Sequence, residues 1–230
     1  MGLNRPDLNR LLKGENFMEN TATGPEEMEE IISQFLALPT TAISDGLEGL
    51  NHFDPAIRPL KEEYKIAGRA FTVKLPGGDN PVLLKALRQA QPGDILVVDA
   101  KADLSRAVAG DFVVGLMQTL GLGGLVVDGA VRDLLALRQL NFPIFCRGTT
   151  VAASAKSGSG ELNVPISCGG VAVTPGDIIT GDVDGIVVVP RSREQAVLSK
   201  TLAKLEKDRL RAEKVSGNLE AIRKYLDELP

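Results

Sequence analysis

The chain has 230 residues, of which 43% are apolar and 24% charged, and its formal net charge is −4. It is long enough for one large or two small domains with a real core, and its acidic balance gives no electrostatic case for nucleic acid. No apolar run approaches the roughly 20 residues of a membrane span, and a single histidine, His52, excludes a histidine-rich metal centre and any mechanism that needs two imidazoles.

Residues 1–25 are polar, show no sustained period and contain no apolar leader. They read as a mobile extension of a cytoplasmic protein. A core domain is expected over 26–190 and C-terminal helices over 191–230. Pro25-Glu26-Glu27 opens a helix through about Leu36. Thr40 or Thr41 caps a second helix with Ile43, Leu47 and Leu50, in which Asp45 is an ordinary solvated position. Ile66 to Leu75 reads as a strand, Gly77 to Pro81 as a turn and Val82 to Ala90 as a helix. Pro92-Gly93-Asp94 turns into the buried strand Ile95 to Asp99, and Ala100 to Ala109 follows as a loop. Gly110-Asp111 opens an amphipathic helix, Phe112 to Leu120, which Gly121 closes. Gly124 to Asp128 is a short β-branched run suited to a fully buried strand, and Gly129 breaks it.

A helix over 132–140 and a strand over 142–147 complete a βαβαβ run. Right-handed crossovers bring both helix N-termini to one edge of a parallel sheet, the edge where α/β sheets bind ligands. Gly110-Asp111 and Arg132-Asp133 should therefore lie close together. Helix N-termini carry unpaired N–H groups and a partial positive charge; an arginine there strengthens an anion site, and an aspartate can hold a hard cation. Beyond Gly148, Ser154 to Gly160 is a flexible loop, and Val164 to Val173 carries short strands around Gly169-Gly170. Pro175-Gly176-Asp177-Ile178 repeats the Pro92-Gly93-Asp94-Ile95 turn before a strand over 186–190. A long charged helix over 192–214, striped by Leu198, Leu202 and Leu205, packs on its own sheet or on a neighbouring subunit, and a shorter helix spans 219–228.

Other chemistries find little support. Gly121-Leu122-Gly123-Gly124 precedes its strand and so is no dinucleotide loop, and there is no phosphate-loop sequence. A serine triad would depend on His52, which reads as structural or exposed. Nothing marks Lys101 or Lys156 as a desolvated Schiff-base lysine. Cys146 and Cys168 sit in apolar strand-like stretches and read as reduced, buried thiols. Any metal must lean on carboxylates and water, which favours magnesium or manganese over zinc.

Asp111 followed by Arg132-Asp133, together with PGDILVVDA, GLVVDGAVRD, FPIFCRG, PISCGGVAVTPGD and GDVDGIVVVPR, resembles the class II 4-hydroxy-4-methyl-2-oxoglutarate aldolase family. Its close relative is the regulator of ribonuclease activity A family. The resemblance runs from about residue 30 to 215. It implies an α/β fold, a three-layer β/β/α swivelling domain of the RraA-like type, assembled as a homotrimer or homohexamer. It also implies site roles. Asp133 would hold Mg2+ or Mn2+ largely through water, and Arg132 would bind the oxo-acid end of a small 2-oxo acid. The amides of Gly110, Asp111, Phe112 and Val113 would receive its carboxylate, and Glu206 from a neighbouring subunit would support the metal water. Ala136 stands where some relatives carry an acidic residue. Two functions follow: a pyruvate-releasing aldolase with oxaloacetate decarboxylase activity, or a non-catalytic protein that regulates a ribonuclease. Arg132, Asp133 and Asp111 together favour the first, because a regulator has no need of all three.

Overall fold

The computed structural model describes residues 25–228, so the expectation for 1–24 lies outside the described residues. Its elements are α1 (Pro25–Ala37), α2 (Thr40–Gly46), β1 (Arg58–Pro59), β2 (Ile66–Lys74), α3 (Pro81–Ala86), β3 (Ile95–Ala109) and α4 (Asp111–Thr119). They continue with β4 (Gly124–Val131), α5 (Leu134–Gln139), β5 (Ile144–Thr149), β6 (Glu161–Leu162), β7 (Ile166–Cys168) and β8 (Val171–Val173). The chain ends with β9 (Ile178–Asp182), β10 (Gly185–Val189), α6 (Glu194–Val215) and α7 (Leu219–Asp227). The main sheet has the order β1-β5-β4-β3-β2-β9-β10, with β6 beside β2. Strands β2 to β5 are parallel to their neighbours in that group, while β1, β6, β9 and β10 pair antiparallel.

Strand β2 is the corner of the molecule. Its first half, Ile66 to Arg69, pairs with β9, and its second half, Ala70 to Lys74, pairs with β3. The two halves belong to two sheet layers, and side chains from both fill the space between them. Ile66, Val97, Val126 and Phe145 meet Ile179, Ile186 and Val188 there. The other face of the parallel layer packs Leu96, Val98, Leu125, Val127 and Ile144 against Leu83 of α3, Val114 and Met117 of α4, and Leu137 of α5. The outer face of β9 and β10 is covered by Ile31 and Phe35 of α1, Ile43 of α2, and Val197 and Leu198 of α6. Both faces of each central strand are therefore buried, which is why these strands read as unbroken apolar runs rather than alternating ones.

The two Pro-Gly-Asp-Ile turns are built alike. Asp94 Oδ2 accepts the Gln91 N–H and Asp177 Oδ2 the Thr174 N–H, each at 2.8 Å. Gly93 and Gly176 have φ of 85° and 86°, which only glycine adopts without strain. Helix α4 ends as expected at Gly121. The Leu122 N–H reaches Met117 O at 3.1 Å and the Gly121 N–H reaches Gln118 O at 3.0 Å, the paired bonds of a left-handed glycine cap. Among the described residues, no helix is long and apolar enough to cross a membrane.

Three local expectations are corrected. Residues 100–109 are not a loop: β3 continues to Ala109 through register shifts against β4. Its middle, from Lys101 to Arg106, is largely exposed, and Lys101 and Ala102 have positive φ, so the apolar pattern that signals a strand is missing. Gly129 does not end β4, which runs fully buried to Val131. A Cβ at Gly129 would press on Ala100, so this glycine serves close packing within the strand rather than a break. Finally, α5 spans Leu134–Gln139 and not 132–140, because β4 runs to Val131 and Asp133 turns the chain in the left-handed region before the helix can start.

Candidate active site

The site forms where β3 and β4 end. The Arg132 N–H donates to Ala109 O at 3.0 Å, which ties the end of β4 to the residue before Gly110. Asp133 then adopts φ 62° and ψ 39°, the left-handed region, as the N-cap of α5. This conformation costs most residues roughly 1–2 kcal/mol, and aspartate is among the few that tolerate it. The turn points the carboxylate back toward α4. Asp133 Oδ2 lies 3.3 Å from Arg132 Nε and 3.4 Å from the Asp111 N–H nitrogen. Oδ1 has no protein partner among the described residues, and neither terminal guanidinium nitrogen of Arg132 has one.

Gly110 makes this approach possible. A Cβ there would collide with Asp133 Oδ2 and touch Arg132 Cγ and Nε, so the side chains of the pair occupy the space glycine leaves. Helix α4 begins beside them. Its first intrahelical bond runs from the Val114 N–H to Gly110 O at 3.1 Å, and the Phe112 N–H is taken by Asp111 Oδ1 at 2.7 Å. The Val113 N–H has no acceptor among the described residues and stays available to an anion at the positive end of the helix.

A cleft of about 370 Å³ opens over these groups. Gly110 to Val113, Arg132 and Asp133 line it together with Asn80, Ser154 and Lys156 and the apolar Pro81 and Leu84. A second hollow of about 320 Å³, lined by Leu134, Thr149 and Val151, shares Arg132 and Asp133 with the first. The pair therefore stands on a ridge between two open spaces, each side chain more than a third exposed.

The comparisons with known proteins agree with this fold. A family model described as RraA-like, Aldolase/RraA, matches residues 40–188. The chain belongs to the RraA-like family. A relative from Halalkalibacterium halodurans, named "Putative 4-hydroxy-4-methyl-2-oxoglutarate aldolase", is 52% identical over 200 residues, covering 87% of this chain and 95% of that protein. Among solved structures, the RNA-processing inhibitor RraA from Thermus thermophilus is 32% identical with a TM-score of 0.61, covering 66% of this chain and 93% of that one. RraAS2 of Streptomyces coelicolor, described as an unusual member of the RNase ES inhibitor RraA family, is 28% identical with a TM-score of 0.73, covering 81% and 98%.

Within this RraA-like chain, Gly110, Asp111, Phe112, Val113, Arg132 and Asp133 all line one cleft. Glu206 does not join them from its own chain. It lies on α6, bonded to Arg209 at 2.6 and 2.8 Å, and that guanidinium holds its carboxyl below the usual carboxylate range. Asp45 pairs with Lys204 at 3.2 Å, and His52 sits with it in a separate hollow, its Nδ1 2.9 Å from Gly49 O. Lys101 Nζ is bound 2.5 Å from the buried Asp99. Cys146 and Cys168 are free and buried, as expected. Burial pushes the Cys146 thiol up to about 11, and burial, with Asp128 and Asp99 nearby, raises Cys168 as well.

Sequence reasoning missed Asn80, Ser154 and the place of Lys156 in the cleft lining. Lys156 lies 23 residues beyond Asp133 in a segment without regular structure, and no local pattern shows that the chain folds back over the cleft. The one available signal was the glycine-rich composition around it, which permits such a path but does not aim it.

Proposed function

We propose that this chain is a divalent-metal-dependent pyruvate aldolase, cleaving a 4-hydroxy-2-oxo acid of the 4-hydroxy-4-methyl-2-oxoglutarate type, with oxaloacetate decarboxylation as a side activity. The observation that carries the reading is the Arg132-Asp133 pair beside the start of α4, with free donors on one residue and a free acceptor on the other.

Among the described residues no three histidine, cysteine or acidic side chains cluster as a metal cage. A single open carboxylate suits magnesium or manganese, which keep several waters and take oxygen donors from substrate. Asp133 would hold the ion largely through water, with Glu206 of a neighbouring subunit supporting that water. When bound, the ion supplies Lewis-acid polarisation of the substrate's 2-oxo group.

The chain's own groups do the rest. The Val113 N–H at the start of α4 receives the 1-carboxylate. The Arg132 guanidinium faces the 2-oxo oxygen, where negative charge grows as the C3–C4 bond breaks. A water held by Asp133 takes the C4 hydroxyl proton, the bonding pair passes to C3, and the resulting pyruvate enolate is protonated there. Lys156, which lines the same cleft and has no ion-pair partner among the described residues, meets the far carboxylate. Oxaloacetate loses carbon dioxide through the same enolate, so the same residues serve it.

A pyruvate-coupled assay on oxaloacetate tests this. Activity should disappear in excess chelator and return with magnesium or manganese. Full activity in chelator would overturn the metal requirement. No pyruvate from oxaloacetate or from 4-hydroxy-2-oxo acids would overturn the aldolase reading in favour of the second one, a non-catalytic regulator of a ribonuclease, which the likeness to RraA from Thermus thermophilus supports.

A further inference from the structure

Asp79 is a buried carboxylate, 1% exposed, with no ion-pair partner among the described residues. It is held by hydrogen-bond donors alone. Oδ1 accepts the Asn80 N–H at 2.9 Å, and Oδ2 accepts the Gly158 N–H at 2.9 Å and the Ser157 hydroxyl. Burial pushes its carboxyl up, and these donors more than offset that, leaving it below the ordinary carboxylate value. Next to it, the Ala155 N–H donates to Gly78 O at 2.7 Å.

The connections are specific in what they join. Asn80 and Pro81, just after Asp79, and Ser154 and Lys156, just before Ser157 and Gly158, all line the cleft. One carboxylate thus fastens both of these cleft-lining segments. Segment 151–160 has no regular structure to hold it, only an isolated bridge between Asp79 and Ala155. Its other tertiary anchors lie before Lys156: the Ala107 N–H donates to Ala152 O (3.0 Å), Ser154 Oγ to Ala107 O (2.5 Å) and Arg106 Nη1 to Ala153 O (3.2 Å). After Lys156, Asp79 holds Ser157 and Gly158 before β6 pairs with β2 at Glu161-Leu162.

We infer that Asp79 is a positioning residue that sets Lys156 against the Arg132-Asp133 side of the cleft, so that the site favours 2-oxo acids carrying a second carboxylate. The inference rests on the aldolase reading for its substrate, and its clamp can be measured without turnover.

The experiment compares the full-length protein with Asp79→Asn, Ser157→Ala, Lys156→Met and the double variant Asp79→Asn/Lys156→Met. Asp79→Asn should raise KM for oxaloacetate about tenfold with kcat little changed, the signature of lost uniform binding. It should leave deuterium exchange into the methyl group of pyruvate, a monocarboxylate, near the parent rate. Ser157→Ala, which leaves the buried carboxylate in place, should shift KM in the same direction by less. The double variant should be no worse than Lys156→Met alone, because a residue acting through another adds nothing once the other is gone. Multiplied effects in the double variant, or loss of pyruvate exchange alongside oxaloacetate turnover, overturn the inference. Amide exchange at Ala155 and Gly158 reads the clamp directly: it should speed up by about tenfold or more in Asp79→Asn and stay slow in Lys156→Met. If the parent releases no pyruvate, the aldolase reading fails and amide exchange alone decides the clamp, unchanged protection in Asp79→Asn counting against it.

Discussion

Arg132 and Asp133 are adjacent in sequence but should fail in different ways. Asp133→Asn keeps the left-handed turn, which asparagine also tolerates, and removes the charge that would hold a cation. Its turnover should fall and be partly restored by high metal. Arg132→Lys keeps a charge and loses the planar fork. It should bind metal normally and lose pyruvate formation by about a hundred- to thousandfold, the roughly 2.7–4 kcal/mol of one charge-assisted contact to a growing oxyanion. Neither change should lower the melting temperature appreciably, since both side chains stand more than a third exposed on the cleft ridge. Turnover on oxaloacetate, metal affinity and a melting curve together check this. Arg132→Lys turning over within about threefold of the parent would make the arginine a surface residue outside the chemistry.

At the scale of elements, the covered faces of the central strands carry a pH consequence. Cys146 on β5 is buried against the helical layer, and its thiol is raised from an ordinary 9.0 to about 11. The unfolded chain therefore loses this proton first as pH rises. Stability from Cys146 should be complete below pH about 9 and lost progressively as pH climbs through about 11. The whole step amounts to roughly 2–3 kcal/mol. Denaturant unfolding measured across pH 8 to 11.5 should show that limb, and Cys146→Ala should make it shallower, with Cys168 and Tyr64, both raised by burial, contributing to what remains. A flat profile through that range would mean that water reaches the thiol.

At the scale of the molecule, large apolar side chains stand exposed among and next to the residues that line the cleft. Phe112 is 72% exposed, Leu135 79% and Val151 98%, and Val151 and Phe112 line the two hollows on either side of the Arg132-Asp133 ridge. Clustered exposure of this kind marks an association surface. We expect a trimer or hexamer in which this face meets a neighbouring subunit. Light scattering should give three or six times 24.5 kDa, and Leu135→Glu with Val151→Glu should lower the mass together with turnover. A 24.5 kDa species with full activity would exclude assembly from the function. Removing the whole of 192–230 would be a poor test of assembly, since Val197, Leu198 and Thr201 of α6 are buried against the domain itself.

Much of this was already legible in the residues. The β-branched runs at 95–99 and 124–128, the glycine closing α4 and the repeated Pro-Gly-Asp-Ile turns are local signals, and each produced the expected element. So was the nearness of Gly110-Asp111 to Arg132-Asp133, because the handedness of a βαβαβ run leaves one arrangement. What local signals could not carry were contacts between segments far apart in the chain. Exposed residues 101–106 extend a strand without an apolar pattern, β2 serves two sheets through a corner at Arg69-Ala70, and Gly129 is dictated by Ala100 pressing on it. The loops that complete the cleft belong with these. Asn80 and Lys156 come to line one cleft with Arg132 where the Asp79 carboxylate and the Gly78 carbonyl gather two loops, and that distance in sequence is closed by tertiary hydrogen bonds rather than by any propensity of the residues themselves.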